Sequence, residues 1–536
     1  MDTQTIQRRR WVILGVLVVG LLAIVIDNTV LNVALKTIAS PADKGGIGAS
    51  QSQLEWAINS YTLVFAGLLF TFGVIGDRIG RKRVLMAGLV LFGLGSLFSA
   101  YSHSPDVLIA ARAVMGLGGA AVMPQTLSII ANVFEPGERA RAIGIWTSAV
   151  GIGVAIGPVL GGLLLTHFWW GSVFLINVPV TVAGAIAAFI LVPESRNPAP
   201  GKIDLLGVLG SILGLVLLVY GIVQGGDGES WGSIGVLGPA IGGLVVLALF
   251  AWHESRVEHP SLDVRLFKNR TLSASVGSIA LLFFGMGGVY FFSSFYLQNV
   301  RGYSPLETGL LAVPFALGQF VMSPRSASLV SRFGVRPVMV SGMLANAVAI
   351  GGWAFLDQSS PIWIVAIMFF VQGSGLGLAI PAATATVMEA LPRERAGAGS
   401  ALTNTARQVA VALSVAVLGS ILSSAYRTSL NPSLAHLPSA VRDAAGSSIT
   451  ATQAVAAQLG QAGQFLLAPA DTAFVDAMRV TTAIAAALAV AGGIAVLRWF
   501  PGRQRPTIEE VIAAEVAAAE RDLAAGLTER TELSER

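Results

Sequence analysis

Residues 11–35 read WVILGVLVVGLLAIVIDNTVLNVAL, and Asp27 is the one charged side chain in this apolar run. A membrane-spanning helix needs about 20 consecutive, mostly apolar residues. The run is longer than the apolar core of a signal peptide and has no small-residue cleavage site after it. We therefore interpret it as a first membrane span that stays in the protein.

Thirteen further stretches meet the same criterion, so the sequence predicts about fourteen spans. They are residues 55–76, 84–102, 105–131, 141–165, 172–192, 204–224, 234–252, 272–297, 306–330, 337–356, 361–388, 399–424 and 477–499. The composition agrees, with 54% hydrophobic and 12% charged residues and a mean hydropathy of +0.72. Such a chain has too little polar surface for water and suits lipid. The predicted fold class is an all-α polytopic membrane protein.

Basic residues in the loops indicate the orientation of these spans. Loops on one side carry about 23 Lys and Arg residues, and loops on the other side carry about five. Basic loops face the cytoplasm in most membrane proteins. Because the number of spans is even, we expect both termini in the cytoplasm. The richness in Ala, Gly and Val is typical of GC-rich bacterial genomes, so we expect a location in the inner membrane of a bacterium.

Several classes of function are excluded because the sequence lacks the residues or motifs that they require. There is no cysteine, so disulfides and thiolate chemistry are excluded. GLGGAA at 116–121 resembles a dinucleotide fingerprint but lies within a predicted membrane helix, and neither a phosphate-binding GxxxxGK[ST] loop nor HExxH occurs. The net charge of +4 is spread over loops, which disfavours nucleic-acid binding. We expect no enzymatic activity, no cofactor and no metal.

Two segments outside the spans have their own character. Residues 425–475 are rich in Ala, Ser and Gln and predict a long external loop. Residues 506–526 predict a cytoplasmic helix, because Thr507 and Glu510 have the spacing of a capping box.

Part of the chain is duplicated. GLGGAAVMP at 116–124 and GSGLGLAIP at 373–381 correspond, and DRIGRK at 77–82 matches SRFGVR at 331–336. Parallel repeats of this kind are typical of transporters whose two halves rock around a central site. The predicted organisation is a six-helix bundle (1–192), a linker with two inserted spans (193–270), a second six-helix bundle (271–499) and a tail (500–536).

Several motifs occur in the order of a known family. They are IDNTVLNVAL in the first span, GVIGDRIGRKR at 73–83, LIAARAVMGLGGAA in the fourth span, GIGVAIGPVLGG in the fifth and FLINVPV in the sixth. Together they resemble the major facilitator superfamily, and within it the fourteen-span drug:proton antiporter branch. The resemblance implies a monomer that exports small amphipathic or cationic drugs in exchange for protons. Three departures are Lys36 in place of proline, Ser331 in place of aspartate, and a thirteenth span that has Arg407 but no carboxylate.

Asp27 and Arg112 are the predicted proton-coupling residues. Asp27 lies about 12 Å from the outer end of the first span and Arg112 about 10 Å from the outer end of the fourth, so the two are level. A buried carboxylate is costly unless it is paired or protonated. Burial favours its neutral form and a nearby cation its charged form, so it can load and release a proton. The alternative is a static structural ion pair.

Two further groups of residues have predicted roles in gating. The resemblance implies that Asp77 acts as a latch in a gating loop formed by Gly73, Asp77, Arg78, Gly80, Arg81 and Lys82. Gly153, Gly157 and Gly161 form a small-residue stripe in the fifth span, and Pro158 adds a kink. We expect a tight hinge between this span and a helix of the second half, or packing alone.

A substrate cavity is predicted from aromatic and polar side chains within the spans. Its candidates are Trp56, Asn59, Tyr61, Gln125, Phe284, Phe291 and Arg407. The alternative is that most of the aromatic residues face lipid.

Four functions remain open from the sequence. The first is export of drugs or antibiotics in exchange for protons. The second is export of an endogenous product, such as a lipid, a siderophore or a self-made antibiotic. The others are a membrane scaffold or sensor that does not transport, and uptake by symport.

Overall fold

The computed structural model describes residues 3–196, 204–257, 260, 262–390 and 396–500. In these ranges the chain forms eighteen α-helices and no β-strand, which confirms the predicted all-α membrane fold. The first six predicted spans fall on α1 Thr3–Ala39, α2 Gln51–Ile79, α3 Arg81–Ala100, α4 Pro105–Val133, α5 Pro136–His167, and the pair α6 Ser172–Leu175 and α7 Asn177–Leu191. The two inserted spans are α8 Leu205–Gly226 and α9 Ile234–Glu254. The remaining helices are α10 Arg270–Phe295, α11 Pro305–Leu311, α12 Val313–Phe333, α13 Val335–Gly352, α14 Ile362–Glu389, α15 Ala396–Leu434, α16 Ser439–Gly446, α17 Ile449–Leu459 and α18 Leu467–Trp499.

Every predicted span lies on a helix, although the helices differ in how completely they meet the criterion for a span. Twelve helical stretches in the described ranges are long and apolar enough to cross a membrane. A thirteenth is α2, which bends by 52° between Leu69 and Thr71. In α5 the apolar stretch Ile152–His167 is shorter than the others.

Residues 425–475, predicted as a long external loop, mostly form helices instead of an irregular loop. The chain there is mostly helical, because α15 continues to Leu434 and α16, α17 and a 3₁₀ turn follow before α18 begins. The alanines and glutamines that suggested a loop are also good helix formers. Tyr426 Oη and Thr452 Oγ1, 2.6 Å apart, join this segment to the end of α15. The predicted helix at 506–526 lies outside the described residues.

Equivalent glycines pack in equivalent ways in the two halves. In the first half, Gly116 of α4 lies directly against the backbone of Tyr61 in α2. In the second half, Gly373 of α14 lies in the same way against the backbone of Phe315 in α12. A side chain at either glycine would collide with main-chain atoms, so these helices require glycine at their crossings. The packing therefore matches the duplication seen in the sequence.

The short turns of the duplicated loop are also equivalent. Gly80 ends α2 with φ of 123°, and Gly334 ends α12 with φ of 91°. Residues other than glycine rarely adopt such positive φ values. Each glycine thus lets one helix end and the next begin without an intervening loop.

The inserted helices attach to the bundle through α8. Leu63 of α2, Val219 of α8 and Ala416 of α15 belong to one buried apolar cluster, so α8 contacts both halves. The second inserted helix, α9, packs along α8. The pair therefore lies at the seam between the first and second halves.

Candidate functional site

Asp27 and Arg112 form an ion pair in the interior of the first half. Each side chain is 1% exposed, and Nη1 of Arg112 donates to Oδ2 of Asp27. Nε of Arg112 donates to the carbonyl oxygen of Ala57 at 3.1 Å. The other carboxylate oxygen of Asp27 accepts a hydrogen bond of 3.0 Å from Nδ2 of Asn177. Both charged groups are thus partnered, as buried charges must be.

Tyr61 covers the guanidinium of Arg112. The centre of its ring lies 4.4 Å from Cζ of Arg112, within the range of a cation–π contact. Its hydroxyl accepts a hydrogen bond of 3.1 Å from Nδ2 of Asn28, the residue after Asp27. The structure therefore places Tyr61, predicted as a cavity residue, in the ion-pair cluster. Asn177 and Asn28 were not predicted as site residues, although both lie in motifs that carry the family resemblance.

The side chains of the predicted gating loop bind neighbouring helices. Asp77, in the last turn of α2, pairs with Arg81 at the start of α3, with a shortest N···O distance of 2.8 Å. Nη1 of Arg81 also donates to the carbonyl of Ser128 in α4 at 3.3 Å. Nζ of Lys82 donates to the carbonyl of Phe189 in α7 at 2.6 Å. The loop thus connects four helices of the first half at one end of the bundle.

The other members of this loop are in different surroundings. Gly80 is buried, and the carboxylate of Glu194 lies over its Cα. Glu194 also accepts from the backbone N–H of Lys82 at 3.2 Å. Gly73 lies in ordinary contact range of Pro124, and Arg78 is exposed.

We expected the glycine stripe of α5 to face a helix of the second half. This prediction is wrong. Gly153, Gly157 and Gly161 all lie against residues 22–30 of α1, in the same half. Positions four residues apart stay on one face of a helix, so all three glycines meet the same neighbouring helix. The stripe thus joins α5 to the helix that carries Asp27.

The contact of α5 with the second half is made by neighbouring residues. The carbonyl of Pro158 lies directly against the Cα of Gly309 in α11. One position beyond the stripe, Gly162 lies against the backbone of Pro305 and Leu306. A side chain at Gly162 or Gly309 would meet main-chain atoms, so this interface is close-packed.

A second contact between the halves joins the end of α1 to a π-helical turn, Tyr296–Val300. Nζ of Lys36 donates to the backbone carbonyl of Gln298. In return, Nε2 of Gln298 donates to the carbonyl of Val33 at 2.9 Å. These reciprocal bonds, like the contacts of Pro158 and Gly162, lie at the end of the bundle opposite the basic loops.

Two of the predicted cavity residues take part in helix packing. Trp56 packs against Tyr220 of the inserted helix α8, with ring centres 6.3 Å apart. Gln125 is 0% exposed, and its Nε2 donates to the carbonyl of Phe72 at 2.7 Å. Apart from Tyr61, the other candidates are Asn59, Phe284, Phe291 and Arg407.

Among these, Phe284 is partly buried against the main core. Phe291 and Asn59 are 1% and 0% exposed. The guanidinium of Arg407 lies 4.5 Å from the ring centre of Phe283, and its Nε has no hydrogen-bond partner among the described residues. The seven candidates therefore do not surround one cavity in this structure.

Two cavities in the described part of the chain are lined by residues other than the seven candidates. A void of about 20 Å³ lies between the halves, large enough for about one water molecule. Its lining is Asn32, Val33, Pro158, Tyr290, Ser293, Ser294, Leu297, Thr308, Ala312 and Phe369. An open groove of about 480 Å³ lies between α15, α18 and Trp231. The halves thus leave almost no space between them at this end.

Comparison with known proteins agrees with the geometry. The chain is 35% identical over 493 residues to the multidrug efflux pump LfrA of Mycolicibacterium smegmatis, covering 91% of this chain and 96% of LfrA. It is 33% identical over 501 residues to the methyl viologen resistance protein SmvA of Salmonella typhimurium, covering 92% and 98%. Among solved structures, a bacterial homologue of the human lysosomal transporter Spinster, inward-facing and unoccupied, superposes with a TM-score of 0.60 at 19% identity, covering 92% of this chain and 99% of that chain.

The family model of the Major Facilitator Superfamily matches residues 17–415, a region that holds the ion pair, the gating loop and the glycine stripe. The relatives align over nearly their whole length, so the match is not confined to one motif. This chain therefore belongs to the Major Facilitator Superfamily.

Proposed function

We propose that the protein exports small amphipathic or cationic drugs or antibiotics across a bacterial inner membrane in exchange for protons. The observation that carries the proposal is the ion pair of Asp27 and Arg112, buried at 1% exposure within membrane-spanning helices. A titratable carboxylate in this environment is a functional candidate by default. Two aligned relatives, named a multidrug efflux pump and a methyl viologen resistance protein, support the substrate class.

In the proposed cycle Asp27 is the proton carrier and Arg112 is the fixed charge. An arginine does not deprotonate under physiological conditions, so a proton that arrives at the pair binds the carboxylate. Protonation removes the charge attraction and leaves Arg112 with its other contacts, which include the carbonyl of Ala57 and the ring of Tyr61. Asp27 would keep its hydrogen bond from Asn177 in either form.

Proton binding is coupled to movement through α1. The helix that carries Asp27 also bears the glycine contacts of α5 and the bond from Lys36 to Gln298. A change at Asp27 therefore acts on the helix that closes one end of the bundle. Each unit of pH gradient supplies about 1.4 kcal/mol per proton, a tenfold lever on concentration.

The rest of the proposal follows from this role. The coupling ion is the proton, and no cofactor or metal is required. The protein works as a monomer in the bilayer with both termini in the cytoplasm, without enzymatic activity and without nucleic acid.

Transport into inverted vesicles tests the proposal. A cationic dye is offered under an imposed pH gradient, and the wild type is compared with Asp27→Asn and with Asp476→Asn. Asp476 pairs with Arg479 at a surface where each side chain is 46% exposed, so it serves as a matched control. We expect gradient-driven uptake in the wild type and the control, and loss of uptake in Asp27→Asn at equal protein level.

Other results point to other functions. Normal uptake by Asp27→Asn would mean that the proton site lies elsewhere. A wild type that moves no dye from a broad panel would favour an endogenous product, or a scaffold that does not transport.

A further inference from the structure

Glu55 is a buried carboxyl group at the seam between the halves. It lies in the second turn of α2 and is 2% exposed. Its Oε1 lies directly over the Cα of Gly419 in α15, and the ring of Phe291 in α10 approaches the same position. One residue of the first half is therefore enclosed by two helices of the second half.

One oxygen of this carboxyl group makes no compensating bond within the described part of the chain. Its Oε2 has no hydrogen-bond partner in the described ranges. One turn deeper along α2, Asn59 is 0% exposed, and neither its Oδ1 nor its Nδ2 has a partner among the same residues. Two buried polar side chains one turn apart on α2 thus carry side-chain atoms without hydrogen-bond partners among the described residues.

The charged groups on the helices packed around Glu55 do not neutralise it. Among the described residues, the charged group that acts on Glu55 is Asp227 at the end of α8, which carries the same sign. Arg427 of α15 donates instead to the backbone carbonyl of Asp227 at 2.9 Å. On α4, Asp106 accepts from Gln53 and Arg112 is paired with Asp27.

An ionised carboxylate is expensive to bury without a partner, and a nearby like charge raises the cost. The neutral acid loses much less on burial. The arrangement in which α2 packs against α15 therefore favours a protonated Glu55. If these helix ends separated, water could solvate the carboxylate and the proton could leave.

We propose that Glu55 is a second proton-binding site, protonated while the end of the bundle opposite the basic loops is closed and deprotonated when that end opens. The proposal extends the proposed antiport, because protons from outside would then drive closure at Glu55 as well as act on Asp27. It also places a second coupling acid in α2, whereas span thirteen contains no carboxylate. The transport cycle would carry two protons.

Thiol labelling tests the site without any transported drug. The chain has no cysteine, so Ser294→Cys introduces a single thiol at a residue that is 2% exposed and lines the void between the halves. A membrane-impermeant maleimide is added to right-side-out vesicles over a range of external pH. Each rate is divided by the rate for the unfolded protein at the same pH, because the thiolate is the nucleophile and its fraction falls with pH. We expect this relative rate of labelling to fall as the pH falls, because protonation closes this end.

The Glu55 variants decide the outcome. In the Ser294→Cys background, Glu55→Gln mimics the neutral acid and should be labelled slowly at every pH, whereas Glu55→Asp should keep the pH dependence. Glu229→Gln, a change at an exposed carboxylate of the α8–α9 turn, should leave the profile unchanged. A Glu55→Gln profile that equals the parent profile overturns the proposal, and so does a thiol that is never labelled.

Proton stoichiometry provides a second measurement. With two coupled protons the limiting dye gradient changes about a hundredfold per pH unit, and with one proton about tenfold. In Glu55→Gln we expect the limiting dye gradient to change about tenfold per pH unit instead of about a hundredfold. An unchanged slope with weaker dye binding would make Glu55 a substrate contact and overturn the proton site. A protein that exports nothing but still shows Glu55-dependent labelling refutes the export proposal alone.

Discussion

Removal of Asp27 alone should destabilise the protein more than removal of the whole ion pair. Asp27→Ala leaves the guanidinium of Arg112 buried at 1% exposure and without a counter-charge. Its other contacts are the Ala57 carbonyl at 3.1 Å, the sulfur of Met115 and the rings of Tyr61 and Phe174. Breaking a buried pair by removing one partner typically costs about 3–5 kcal/mol. Replacing both partners with apolar residues is often close to neutral. The double variant Asp27→Ala/Arg112→Met should therefore recover most of the loss.

The assay is a double-variant cycle on the purified protein, with the free energy of unfolding measured in mixed detergent micelles. We expect a coupling energy of at least about 2 kcal/mol between the two positions. The half-exposed pair Asp476 and Arg479 provides the control cycle, with an expected coupling of about 0.2–1 kcal/mol. Equal coupling in the two cycles would refute the view that Asp27 and Arg112 are held together in a dry interior.

Three further variants test the contacts between helices. Gly309→Val should reduce dye export at least about tenfold at equal protein level, because its side chain would meet the backbone of Pro158; normal export would contradict the close contact. Lys36→Met removes a charge-assisted bond to the carbonyl of Gln298, worth about 1.5–3 kcal/mol. The Ser294→Cys thiol described above should therefore be labelled about tenfold faster or more. An unchanged rate would count against a role of this bond in closing that end of the bundle. Asp77→Asn loses a partly exposed ion pair. Export should therefore slow, while the free energy of unfolding falls by no more than about 1 kcal/mol. A larger fall in the free energy of unfolding would indicate a structural role for Asp77.

Much of the fold follows from the sequence because lipid leaves the backbone few choices. A chain without water to bind its N–H and C=O groups must satisfy them within helices, so each long apolar run predicts one helix. The duplicated loop glycines, Gly80 and Gly334, were also readable, since both turns need positive φ. The segment 425–475 was not readable in this way, because its alanines and glutamines suit an exposed loop or a packed helix equally.

The site could be predicted in part. Asp27 and Arg112 stand out because charges within spans are rare, and the rise of a helix places them at one level. Asn177 completes that cluster but is one of several asparagines, and nothing in its spacing marks it. Trp56 and Gln125 looked like cavity residues because polar and aromatic groups line cavities, but they also stabilise the packing of helices.

By itself the sequence determined which stretches form helical spans, their order, the duplication, and the presence of Asp27 and Arg112 within spans of the first half. The tertiary structure alone decided which neighbour each helix face meets. Successive residues of a helix point about 100° apart, so Gly161 packs on α1 while Gly162 packs on α11. The surroundings of Glu55 likewise depend on which neighbour its face of α2 meets. Its burial against Gly419 arises from the crossing of helices from different halves, which no periodicity within α2 contains.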